Sequence, residues 1–145
     1  MIMSYHKSLK EMSKATEKIV CNILGGSLLL VAINAFGGGY YGMSGAEGMP
    51  AEWLKGSPFS SYFIPSLILF VGIGGWALFA AIVVFRKIKF ARTAAFISGV
   101  MILVWLSVQI FMIGYVSWMQ QVTAVAAILI LFLTWLLPTN KVNVA

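Results

Sequence analysis

Residues 62–92 read YFIPSLILFVGIGGWALFAAIVVFRKIKFAR. The first 24 of these carry no charge, and four cations then fall within seven residues: Arg86, Lys87, Lys89 and Arg92. An uncharged apolar run of that length exceeds the ~20 residues a helix needs to cross a hydrocarbon core of about 30 Å. Cations resist crossing such a core, so loops left in the cytoplasm keep their Lys and Arg. The stretch therefore reads as a transmembrane helix ending in an inner turn.

Working outward, three more apolar runs contain no Asp, Glu, Lys, Arg or His, at about residues 19–36, 93–113 and 122–137. Nine of the ten Lys/Arg residues fall on the same side of the four runs. Lys7, Lys10, Lys14 and Lys18 precede the first, the quartet at 86–92 joins the second to the third, and Lys141 follows the fourth. Lys55 alone falls on the other side. The expected fold is all-α: a four-transmembrane-helix up-down bundle in one domain covering 1–145, with both termini cytoplasmic. An N-terminal amphipathic helix over 4–18 and a structured extracytoplasmic loop over 37–61 complete it.

The composition agrees, with 61% hydrophobic and 10% charged residues, against about 25% charged in a soluble domain. The net charge of +6 does not indicate nucleic acid, because the cations flank apolar spans without interleaved aromatic or Gly-rich RNA-binding patterns. Membrane lipids are the expected partners, each cation near an anionic surface contributing about 1 kcal/mol. The single cysteine, Cys21, excludes an intramolecular disulfide and a Cys-x-x-Cys redox pair. It reads as a small packing residue, with juxtamembrane palmitoylation as the alternative.

In the arm, Tyr5, Leu9, Met12, Thr16 and Ile19 recur at helical steps, which predicts a helix lying in the inner headgroup layer. A basic stretch before an apolar run also fits a cleavable signal peptide; the length of the run favours an uncleaved first helix. Gly37, Gly38 and Gly39 are expected to end that helix. Pro50 to Lys55 predict a short helix with Gly56 just past its end. Pro65 falls in the first turn of span two, and Pro138 stops span four. Small residues mark close-packing seams: Cys21 and Gly25 on span one, Ala77 and Ala81 on span two, and Ala91, Ala95 and Gly99 on span three.

No ionisable group stands inside a span, although proton-coupled carriers generally need one. Small multidrug antiporters resemble the chain in size and helix count, but would need an embedded carboxylate. Glu47 and Glu52, the acids of the outer loop, are five residues apart and have no His beside them. No catalytic residue, metal ligand or cofactor is expected, and His6 reads as an ordinary surface residue. The remaining polar groups gather toward the outer leaflet with several aromatics. Asn34, Trp53, Tyr62, Gln109, Tyr115, Trp118 and Gln120 are the candidate ligand-binding residues. Gln109 is expected to bond Asn34 or a loop carbonyl, because an unpaired amide in lipid is costly. The alternative is an interfacial aromatic belt with a structural hydrogen bond.

Ser57-Pro58-Phe59-Ser60-Ser61-Tyr62-Phe63-Ile64-Pro65 resembles a motif in small uncharacterised bacterial four-helix integral membrane proteins. Those are similar in their Gly-rich outer loop and in a Trp-containing turn before span four, here Tyr115-Val116-Ser117-Trp118-Met119-Gln120. The resemblance covers roughly residues 20–137 and implies a bacterial cytoplasmic membrane protein; it implies no activity. The expected function is non-enzymatic: binding a lipid or hydrophobic small molecule at the outer face, or acting as accessory subunit of a membrane complex, as homo-oligomer or with another membrane protein. An oligomeric transporter or channel component is the alternative, and an intramembrane enzyme the third.

Overall fold

The structure is a computed structural model that describes residues 2–115 and 117–137, and only the backbone over 5–13. The arm's Tyr5, His6, Lys7, Leu9, Lys10 and Met12 side chains thus lie outside the description, as do Val116, Pro138 and Lys141. Every regular element among the described residues is helical: α1 (Ile2–Met43), a 3₁₀ turn (Ala51–Leu54), α2 (Phe63–Leu67), a π-helical segment (Ile68–Gly74), α3 (Gly75–Phe85), α4 (Ala91–Ile113) and α5 (Trp118–Leu136). Four stretches are long and apolar enough to cross a membrane: Lys14–Met43, Phe63–Phe85, Ala91–Ile113 and Trp118–Leu136. The second is α2, the π segment and α3 in continuous sequence.

One expectation about α1 is corrected. The arm over 4–18 is helical, as expected, and forms one unbroken helix with the first span, about 63 Å long at 1.5 Å per residue. Gly37, Gly38 and Gly39, however, do not end that helix, and it runs on to Met43. The reason is packing. Cys21, Leu24, Leu28, Ala32, Ala35, Gly39 and Gly42 recur at steps of three and four, and all are buried. Gly39 lies directly against span two, where an added methyl would sit 2.7 Å from Phe70 Cβ and 2.8 Å from the Ser66 carbonyl oxygen. At Gly42 an added methyl would overlap the Ser66 side chain. The van der Waals attraction between helices that approach so closely offsets the helical cost of glycine.

Span two is not uniformly α-helical, because seven residues, Ile68–Gly74, take the wider π geometry. Such segments are rare and usually short. This one lies where Phe36 and Phe70 meet with ring centroids 4.8 Å apart. Gly74 leaves the space that Phe36 fills, with an added methyl 2.9 Å from the ring. At the other end of the pair, Gly25 lies against Phe85.

Helix α1 packs on α2, the π segment and α3; α3 packs on α4, α4 on α5, and α5 returns to α1. Leu24, Leu28, Val84, Ile102 and Ile130 fill the centre and are fully buried. The expected seams are part of this packing: Ala77, Ala81 and Ala95 are buried, and Gly99 lies against Leu131. A side-chain hydrogen bond ties spans two and three, the Trp76 indole N–H donating to the Ala94 carbonyl at 3.1 Å. Much of the apolar surface still faces outward, including Leu30, Val104, Phe111 and Val125, as a lipid-facing surface requires.

Candidate functional site

The loop from residue 44 to 62 is folded by its own hydrogen bonds. Tyr41 donates its hydroxyl to the Glu47 carbonyl. Ala46 and Gly45 take positive φ, 47° and 116°, which turns the chain back after α1. Pro50 is the N-cap of the 3₁₀ turn, and Gly56, φ 92°, lies just beyond it. Leu54 is buried, and the turn packs on α4.

Tyr62 closes this loop by donating its hydroxyl to the Pro50 carbonyl at 2.6 Å. Burial pushes its phenol above the usual range. Trp53 is half-buried in the 3₁₀ turn that Pro50 begins. These two candidates therefore belong to one small folded unit above α4.

Gln120 is 5% exposed and committed to backbone. Its Nε2 donates to the Gly114 carbonyl at 3.2 Å. Its Oε1 accepts from the Ser117 N–H at 3.4 Å. Ser117 Oγ in turn accepts from the Met119 N–H at 3.2 Å. This is a capping box, in which side chains satisfy amides that the first helical turn leaves free. It explains why α5 begins at Trp118, four residues before the expected start. The Ser-x-x-Gln spacing at 117–120 carried that signal in the sequence.

Tyr115 and Trp118, beside this cap in sequence, are 62% and 70% exposed. Gln109 is half-buried on α4, and Asn34 is exposed on α1. No hydrogen bond joins them among the described residues, because α1 and α4 barely touch. The expected Gln109–Asn34 bond is thus absent. The seven candidates separate into a loop unit (Trp53, Tyr62), a helix cap (Gln120), exposed aromatics (Tyr115, Trp118) and two amides on different helices.

Asn34 has an unusual setting. It is eight residues below Gly42, or about 12 Å along the helix, and so inside the apolar span. Around it on α1, Leu30 and Ile33 are 70% and 60% exposed, and Gly37 has nothing within 4 Å of an added methyl. Among the described residues no three or more His, Cys, Asp or Glu are grouped to hold a metal. Comparison with known proteins gave no matching family model, curated protein or solved structure.

Proposed function

We propose a non-enzymatic, multi-pass protein of a bacterial cytoplasmic membrane that acts by lateral association, as accessory subunit or assembly partner of another membrane helix. The four spans would form an up-down bundle with the basic end and both termini cytoplasmic. Two things support this arrangement: the antiparallel contacts Gly25–Phe85 and Gly42–Ser66, and the clustering of Arg86, Lys87, Lys89 and Arg92 at one end.

The observation that carries the proposal is Asn34. Its exposed amide stands in an apolar stretch beside an open glycine. Amides facing hydrocarbon seek hydrogen bonds from a neighbouring helix, in model peptides at about 1–2 kcal/mol each. A helix crossing at Gly37 would approach closely enough to supply them. The apolar filling of the centre by Leu24, Leu28 and Ile130 disfavours transport through a single copy.

The test is the mass of the mildly solubilised protein beside that of Asn34→Leu. A wild-type particle larger than one 15.8 kDa chain, reduced to one chain by the substitution, supports lateral association. Two identical monomers would refute it. A second reading, an amphiphile bound beneath the outer loop, is favoured by the half-buried Trp53 on the turn that packs against α4.

A further inference from the structure

At the end opposite the folded loop, α1, the 86–90 turn and the end of α5 border a half-open cavity of about 40 Å³. Glu17, Cys21, Lys87, Lys89, Arg92 and Leu137 line it. One water needs roughly 10–15 Å³ of such space, so there is room for about three waters. Among the described residues, three cations and one carboxylate line it, a formal charge of +2. Arg92 and its neighbour Ala91, which also lines the space, stand at the start of α4. The positive end of that helix dipole adds to the field, and no side chain caps it.

The backbone of Lys87 supplies an independent observation. Its φ is +51°, in the left-handed region that non-glycine residues avoid. The Ile88 N–H donates to the Val83 carbonyl, and the Lys87 N–H to the Val84 carbonyl, both at 3.1 Å. This is the helix-ending turn in which glycine is the usual residue at the position Lys87 occupies. Lys87 thus holds a cation, where glycine would fit freely, at the edge of the cavity it lines.

We propose that this cavity is a phosphate-binding site, and that it takes the headgroup of an anionic phospholipid from the leaflet at the basic end. Lys87, Lys89 and Arg92 would contact the phosphate oxygens. Cys21 and Leu137 form apolar wall, and Glu17 restricts where the anion can sit. The lipid source is favoured by exposed Phe85, Ile88 and Phe90 on the same turn, which offer acyl chains an apolar flank. Basic pockets between transmembrane helices bind anionic headgroups in this way.

The test uses the full chain in detergent, titrated with phosphatidylglycerol, phosphatidylcholine or inorganic phosphate and read by intact-complex mass spectrometry. Lys87→Gly removes one cation while relieving the turn, so the variant should fold at least as well as wild type. Lys87→Gly should weaken phosphatidylglycerol binding about fivefold, the equivalent of ~1 kcal/mol per cation, and adding Arg92→Gln about twentyfold or more. Lys14→Gln, on α1 outside the cavity, should change it less than twofold. Phosphatidylcholine should bind at least tenfold more weakly than phosphatidylglycerol. Equal losses from Lys14→Gln and Lys87→Gly would overturn the site in favour of a diffuse surface field. Binding of inorganic phosphate with no preference for phosphatidylglycerol would overturn the lipid assignment and leave a soluble anion as ligand.

Discussion

Phe36 and Phe70 face each other across spans one and two, ring centroids 4.8 Å apart and planes inclined at 56°. Each lies over a glycine of the opposite helix: Phe36 against Gly74, and the Phe70 backbone and Cβ against Gly39. The pair acts as a reciprocal latch: the Phe36 ring fills the space left at Gly74, and Gly39 lets the backbone at Phe70 approach α1.

The latch separates two glycines of the same triplet. Gly39→Ala forces a methyl to within 2.7 Å of Phe70 Cβ and 2.8 Å of the Ser66 carbonyl oxygen. It should destabilise the bundle by about 1–3 kcal/mol, as overpacking does. Gly37→Ala meets nothing within 4 Å and should be neutral or stabilising by up to ~1 kcal/mol through helix propensity. Thermal unfolding of the two variants in the same detergent checks the contrast.

Trp76→Phe keeps the ring contact with Phe79, centroids 5.2 Å apart, but deletes the hydrogen bond to Ala94. The cost should be about 0.6–1.7 kcal/mol, the range for interhelical hydrogen bonds in membranes. A larger loss would show that the indole supports more than this one bond. Denaturation in mixed micelles measures it.

Gln120→Ala removes the side chain's bonds to the Ser117 N–H and the Gly114 carbonyl at the start of α5. The variant should lose about 1 kcal/mol, as other capping changes do. Amide exchange should accelerate at residues 118–121 while α4 stays protected. Uniform acceleration across the protein would contradict a local capping role.

The spans are legible in the sequence because a long uncharged run has few physical alternatives. The helix ends are less so. Gly37 to Gly39 resemble a terminus because glycine is both a breaker and a close-packing residue. The decisive signal, small residues recurring through Ala32, Ala35, Gly39 and Gly42, needs a partner helix to interpret it. The π segment at Ile68–Gly74 has no sequence signature beyond its glycines, since the wider turn accommodates contacts with α1. Gln120 stands out in the sequence as a polar group, but its ties to Ser117 and Gly114 depend on the geometry of a tight turn. The cations of 86–92 are visible as an orientation signal. That three of them line one cavity depends on how α1 passes the turn at Glu17 and Cys21 and on where α5 ends.

The most direct measurement of the central claim, a four-span bundle with its basic turn inside, is sidedness of labelling in intact cells. Cys21 is 3% exposed and would be replaced by Ala. Single cysteines would then be placed at Lys55→Cys in the folded loop and Lys89→Cys in the basic turn. A membrane-impermeant thiol reagent should label the first at once and the second only after the membrane is opened. Labelling of both from outside, or of Lys89→Cys alone, would contradict the topology.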